Sequence, residues 1–201
     1  MKLLTVSASP YGRKVRVVIS ELAIIEKIEI INDNPWLKGT LVSKANPIGK
    51  VPVLILDDNN SLYDSKLICE YLDNQSKKIL LYPEAGKERW DVLRLQNLAD
   101  QMMDAFILRR LESKRPEGKQ HEPWINRQWS VIQRSLNQAD KDIISFKNDI
   151  NIGTIALGVA LAHLDFRRDD DEDWRIGRTN LKEFFEILKQ RPSMQSTEPH
   201  D

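Results

Sequence analysis

The chain has 201 residues, 41% of them hydrophobic and 30% charged, which is the composition of an ordinary globular protein with one or two domains. Its 30 Lys and Arg residues balance 30 Asp and Glu residues, so a basic surface that binds nucleic acid is not expected. The one cysteine, Cys69, excludes an internal disulfide framework. The three histidines lie too far apart in the sequence for ligand spacing, so we expect no metal site.

Two patterns bear on where the protein resides. The apolar run at the N-terminus ends at Val6 and is too short for a signal peptide. The longest uncharged stretch, residues 150–162, is well short of the ~20 residues that span a bilayer. The sequence therefore predicts a cytoplasmic protein without a membrane partner.

In the first 80 residues, short apolar runs alternate with helical periodicity. In chain order we expect a strand, a helix that starts at Pro10, a strand, an irregular stretch, two strands joined by a polar turn, and a helix. The predicted strands cover residues 3–6, 28–31, 51–56 and 61–63, the predicted helices cover residues 10–22 and 65–72, and the irregular stretch is 32–50. This order predicts a small mixed sheet with one parallel β-α-β crossover and a hairpin.

After a linker at residues 81–84, only helical periodicity remains. The predicted helices cover residues 87–111, 124–145, 151–166 and 180–189. The third is apolar nearly all round, which is typical of a helix at the centre of a bundle. The fold class is thus α/β + all-α, with an α/β domain at 1–80 and an all-helical domain at 87–201.

Two polar segments in the second half have simple interpretations. The acidic run 169–173 is interpreted as a solvated surface, with metal binding as the alternative. The last residues, 197–201, are expected to be frayed.

The first candidate site is Ser9, between the first strand and the first helix. Ligands gather at the carboxyl ends of strands in α/β units, and a helix N-terminus offers free N–H groups to an anion. Ser9 would add a hydroxyl donor there. The alternative is that Ser9 only caps the helix that begins at Pro10.

Two further candidate sites flank the predicted hairpin. Pro52 stands directly before a strand, and a cis bond from Val51 would turn the Val51 N–H and C=O outward, towards an extended ligand. Asp64 and Ser65 open the next helix. One interpretation is that they only cap this helix. The other is that they bind the head group of an amino acid: the Ser65 hydroxyl and backbone N–H would bind its carboxylate, and Asp64 would bind its ammonium.

Taken together, Ser9-Pro10-Tyr11, Val51-Pro52 and Asp64-Ser65 resemble the glutathione transferase superfamily. The resemblance covers the first domain and continues into residues 99–105 and 163–167. It implies a thioredoxin-like N-terminal domain, a serine of the type found in bacterial members that meets the thiol of glutathione, and a cis proline. It also implies an acidic-Ser pair that holds the γ-glutamyl group.

The resemblance implies further residues and partners. Lys38 and Lys50 are candidates for the glycine carboxylate of glutathione, with a solvated loop lysine as the alternative for each. The family is usually dimeric, and the alternative is that helix 87–111 is simply long and central within one subunit. Asp100 is the candidate that reaches the γ-glutamyl ammonium bound by the partner chain. A pocket for the electrophile would be walled by the helical domain, around Met102 and its neighbours Met103 and Phe106, with ordinary interior packing as the alternative.

The expected function is that of a glutathione transferase, in which glutathione is a substrate and its thiolate attacks a small electrophile, as in detoxification. The alternative is a non-catalytic binding or regulatory protein of the same fold. A disulfide reductase is disfavoured because Ser9 stands where a thiol would be needed. Arg13, one turn into the helix, either assists electrostatically or forms an ion pair.

One departure from the family pattern concerns folding. The central helix of the second domain usually opens with Ser/Thr-x-x-Asp, whereas this chain has Asn151 and Thr154. The missing acidic side chain is expected to weaken the capping box by ~1 kcal/mol.

Overall fold

A computed structural model describes residues 1–76, 80–146, 149–167 and 173–201. Its described residues form two compact units. The first comprises Met1–Pro83 together with Gln190–Asp201, and the second comprises Glu84–Lys189. Residues 169–172 of the acidic run lie outside the described residues.

The first unit contains a mixed four-stranded sheet with helices. Its strands are β1 (Lys2–Thr5), β2 (Glu29–Asn32), β3 (Val53–Ile55) and β4 (Ser61–Leu62). Its helices are α1 (Pro10–Glu21), α2 (Leu41–Ala45) and α3 (Ser65–Gln75), and near the C-terminus α8 (Pro192–Gln195). The strand order is β2-β1-β3-β4. The parallel pairing of β1 with β2 and the β3–β4 hairpin are both confirmed.

The second unit is helical in its described part. Its helices are α4 (Gly86–Ser113), α5 (Glu122–Asp142), α6 (Ile152–Phe166) and α7 (Thr179–Leu188). As predicted, α6 is buried along nearly its whole length. A Cβ atom added to Gly153 would lie 2.6 Å from the carbonyl oxygen of Val92, so α4 and α6 pack with their backbones close together.

The capping box of α6 corrects an expectation. The amide of Thr154 donates to Asn151 Oδ1 at 3.0 Å, and the amide of Asn151 donates to Thr154 Oγ1 at 3.0 Å. The threonine hydroxyl therefore accepts the bond that a carboxylate would accept, and both backbone donors are satisfied. The prediction that this box is weakened by the missing acidic side chain is wrong.

Two other segments also differ from the sequence interpretation. Leu81 and Tyr82 of the predicted linker are buried, and the Asp73 carboxylate accepts their amides at 2.6 and 3.3 Å. The C-terminal residues belong to the first unit, not to the helical domain, and Thr197 is buried instead of frayed.

No helix in the described ranges is long and apolar enough to cross a membrane.

Candidate functional site

The strand register brings the three candidate segments to one edge of the sheet. Leu4, near the end of β1, pairs with Val53 at the start of antiparallel β3. Leu54 in turn pairs with Leu62, the last residue of β4. The loop after β1, the residues before β3 and the turn after β4 therefore leave the sheet on the same side.

Ser9 is the N-cap of α1 in this structure. Its side-chain oxygen accepts a hydrogen bond from the amide of Gly12 at 3.1 Å, and Pro10 occupies the first turn. A serine hydroxyl has one donor and two acceptor lone pairs. The capping bond uses only an acceptor lone pair, so capping and donation to a ligand are compatible roles for Ser9.

The Val51–Pro52 bond is cis, which confirms the geometry that the resemblance implies. The preceding loop is organised by Asn46, whose side chain is buried. Its Nδ2 donates to the carbonyl oxygen of Lys50 at 2.8 Å, and its Oδ1 accepts from the amide of Ile48 at 2.9 Å. The sequence interpretation gave Asn46 no role, although Asn-Pro-x-Gly is a recognisable turn signal.

Asp64 and Ser65 stand at the start of α3. Asp64 is the N-cap, and its Oδ1 accepts the amide of Lys66 at 2.9 Å. The Asp64 side chain is exposed, whereas Ser65 is buried. The Tyr63–Asp64 bond is a cis bond without proline, which the sequence does not predict. Two helix N-termini, those of α1 and α3, thus flank the same sheet edge, and both favour anionic groups.

The two lysine candidates are both exposed, unlike the buried Ser65. Lys50 is exposed and directly precedes the cis bond, and Lys38 is exposed in the segment between β2 and α2. Because β2 runs parallel to β1, this segment leaves the sheet at the same edge as the Ser9 loop. Both side chains are accessible to a ligand carboxylate.

Asp100 belongs to the second unit, where it is buried on α4. The candidate wall residues Met102, Met103 and Phe106 are also buried. These four residues thus belong to the second unit, whereas the candidates at the sheet edge belong to the first.

Arg13 is buried, which differs from the surface ion pair that is one of its two alternatives. It is 3% exposed, and its Nη2 donates to the carbonyl oxygen of Met194 at 3.0 Å. Burial, and then the charge of Arg16, lower the pKa of the Arg13 guanidinium to about 10. Its hydrogen bonds go to neutral oxygens of the C-terminal segment and not to a carboxylate.

In the described ranges, no group of three or more His, Cys, Asp and Glu residues is placed to hold a metal ion. Cys69 is fully buried on α3, as expected of a small apolar residue.

The sequence is similar to a known protein family and to a curated protein of similar length. The sequence profile of the family described as "Glutathione S-transferase, N-terminal domain" matches residues 8–75. The Escherichia coli (strain K12) protein named "Uncharacterized GST-like protein YibF" is 34% identical over 202 residues, which cover 99% of this chain and 98% of that protein.

Two solved structures are similar along the whole chain. A glutathione S-transferase from Methylobacillus flagellatus KT with glutathione bound is 34% identical, with a TM-score of 0.93 and 99% of both chains covered. A glutathione transferase family member from Pseudomonas fluorescens Pf-5, also with bound glutathione, is 36% identical. Its TM-score is 0.93, with 100% of this chain and 99% of that chain covered.

Proposed function

Because the chain belongs to the glutathione transferase superfamily, we propose that it binds glutathione at the sheet edge of its first unit and promotes attack of the glutathione thiolate on a small electrophile. The observation that carries this proposal is the convergence of three segments on that edge: the serine after β1, the cis Val51–Pro52 bond before β3, and Asp64-Ser65 after β4. The similarity to two proteins with bound glutathione supports it.

The γ-glutamyl end of glutathione carries an ammonium and a carboxylate. In the proposal, the Ser65 hydroxyl and the N-terminus of α3 bind the carboxylate, and the exposed Asp64 carboxylate binds the ammonium. The backbone of Val51, next to the cis bond, pairs with the extended tripeptide. Lys50 and Lys38 bind the glycine carboxylate.

Ser9 supplies the chemical step in this proposal. A free thiol with a pKa near 8.5 is only a few per cent ionised at neutral pH. A hydrogen bond to a charged group contributes roughly 1.5–3 kcal/mol, and each pKa unit corresponds to about 1.36 kcal/mol. A bond from the Ser9 hydroxyl to the thiolate would therefore lower the thiol pKa by about one to two units. The N-terminus of α1 adds a smaller favourable contribution.

We also propose a homodimer. The first helix after the sheet domain, α4, leaves large apolar side chains exposed, namely Trp90 at 68%, Leu108 at 45% and Leu111 at 47%. A two-fold interface would cover such a surface. In the dimer, Asp100 would contribute its carboxylate to the γ-glutamyl ammonium bound by the partner chain, so that dimerisation and glutathione affinity are coupled.

Turnover with a panel of electrophiles tests the catalytic part of the proposal. We expect glutathione-dependent consumption of at least one class among aryl halides, alkyl halides, enones and hydroperoxides, because each is attacked by a thiolate. Glutathione binding without turnover of any of them would contradict the transferase assignment and favour a binding or regulatory protein of the same fold.

A further inference from the structure

The C-terminal strap, Gln190–Asp201, crosses α1 from its last turn to its first. At the last turn, Arg191 donates two hydrogen bonds to the carboxylate of Glu21, at 2.8 and 2.7 Å. At the first turn, Arg13 donates to the carbonyl oxygen of Met194 at 3.0 Å. The strap is therefore fixed to both ends of the helix that begins at the proposed thiol site.

Arg13 connects this strap to Ser9. Its backbone amide donates to the carbonyl oxygen of Ser9 at 2.8 Å, while its Nη2 bonds to Met194 and its Nε lies 3.5 Å from Thr197 Oγ1. Because Arg13 is buried, its rotamer is restricted by packing as well as by these bonds. A displacement of the strap would thus be transmitted to the first turn of α1.

Arg16 provides a second connection, one turn further along α1. Its Nη2 lies 3.4 Å from the carbonyl oxygen of Ser7 and 3.4 Å from that of Thr197. Thr197 also donates its hydroxyl to the carbonyl oxygen of Ser193 at 2.7 Å, which fixes its own orientation. Thr197 of the strap therefore contacts both arginines. Arg13 also bonds to the backbone of Ser9, and Arg16 also contacts the backbone of Ser7.

We propose that Arg13 and Thr197 are positioning residues for Ser9: the C-terminal strap holds the loop of residues 7–9 and the first turn of α1 so that the Ser9 hydroxyl is aimed at the glutathione thiol. This inference rests on the proposed function. It gives Arg13 a positioning role, since its guanidinium is buried and donates to neutral oxygens of the strap, beside the charge of Glu198 in the same strap. It also gives Thr197, in the part of the strap next to the first turn of α1, a role in placing Ser9.

The thiol pKa of bound glutathione, followed by the ultraviolet absorbance of the thiolate during a pH titration, tests the proposal. Thr197→Val removes the shared hydroxyl without changing any charge. We expect it to raise the thiol pKa by about half a unit, which is a roughly threefold change in the thiolate-to-thiol ratio, with little change in the Kd for glutathione. Arg13→Lys keeps the charge but replaces the planar fork by a single ammonium, and a shift in the same direction is expected.

Arg191→Gln is the matched control. It loosens the same strap at the far end of α1, so it should lower the melting temperature while the thiol pKa stays at the wild-type value. The proposal is overturned if Thr197→Val and Arg13→Lys both keep the wild-type thiol pKa, or if Arg191→Gln shifts it as much as they do. Absence of glutathione binding by the wild-type protein would be a different result, because it would contradict the proposed function itself.

Discussion

Gly12 approaches Thr5 so closely that a Cβ atom added to Gly12 would lie 1.9 Å from Thr5 Oγ1. The same glycine donates its amide to the Ser9 side chain at 3.1 Å. The close contact between the end of β1 and the first turn of α1 thus sets where Ser9 sits, and it exists only because residue 12 has no side chain.

Gly12→Ala is expected to push α1 away from β1. Overpacking of this kind typically costs about 1–3 kcal/mol. It should also raise the thiol pKa of bound glutathione, because the Ser9 hydroxyl moves with the helix. Thr5→Ala removes the clashing oxygen, so the double variant should recover stability and thiol pKa in part, as urea unfolding and thiolate titration would show. A double variant no better than Gly12→Ala would contradict this contact as the cause.

Ser9→Ala should lose two functions at once. Loss of the N-cap is expected to cost about 1 kcal/mol of stability, and loss of the donor should raise the bound thiol pKa by about one to two units with only a modest effect on affinity. Ser9→Asp separates the two functions, because aspartate caps a helix well but its charge opposes a thiolate. Stability should return in Ser9→Asp while turnover at neutral pH stays low. An unchanged pH–rate profile in Ser9→Ala would remove Ser9 from the mechanism.

Ser65→Ala is expected to weaken glutathione binding by about 1–3 kcal/mol, which is about 5- to 150-fold in Kd. The reason is that the γ-glutamyl carboxylate would lose a buried hydroxyl partner. Calorimetric titration gives the Kd directly. Ser130→Ala is a suitable control, since Ser130 is exposed on α5 and donates only to the carbonyl oxygen of Asn126 within its own helix. An unchanged Kd in Ser65→Ala would contradict the assignment.

Glu21 predicts a pH dependence of stability. Burial opposes its ionised form, but hydrogen bonds from Arg191 and Ser193 and the charge of Arg191 hold the pKa of this carboxyl below its usual value. A carboxyl whose pKa is lowered on folding stabilises the fold above its unfolded pKa, about 4.3, and this contribution is lost as the pH falls through the folded value.

Glu21→Gln should therefore cost about 1 kcal/mol near neutral pH, an amount kept small because Arg191 is partly exposed. The difference from the wild type should shrink below about pH 4. Urea unfolding at several pH values measures this, with the exposed Glu26→Gln as the control. A deficit that is constant with pH would contradict the ion pair as its source.

The proposed dimer predicts a mass of twice the 23.3 kDa chain in light scattering at micromolar concentration. Trp90→Glu would place a charge in the interface, so this variant should be monomeric and should bind glutathione more weakly, because the partner's Asp100 is lost. A wild-type monomer that binds glutathione with full affinity would contradict both the interface and the shared site.

The sheet and the long helices could be predicted from local patterns. The runs that form β1 and β3 are short and apolar, and the Asp-Asp-Asn-Asn turn predicts the β3–β4 hairpin. The short helix α2 was missed because five residues show no helical period. Its start depends on Thr40, which caps it, and on Asp33, whose Oδ2 accepts the amide of Val42 at 2.7 Å.

The C-terminal strap could not be predicted, for a different reason. Its polar residues, read locally, are those of a frayed tail. Thr197 is buried where it contacts Arg13, which lies 184 residues earlier in the chain. A local sequence pattern cannot predict a contact between residues so far apart. For the candidate site, the residue types and the cis Val51–Pro52 bond follow from the family resemblance, whereas the role of Asn46 in the preceding loop required the structure.

Calorimetric titration of the wild-type protein with glutathione, near neutral pH and in buffers of different ionisation enthalpy, tests the central claim most directly. If the first unit stabilises the thiolate of bound glutathione, each binding event releases a fraction of a proton near neutral pH, because more of the thiol is ionised when bound than when free, and the measured heat depends on the buffer. S-methylglutathione, which has no ionisable thiol, should bind without that dependence. Absence of binding heat for glutathione would contradict the glutathione site. Binding with no proton release would contradict the activation of the thiol by Ser9.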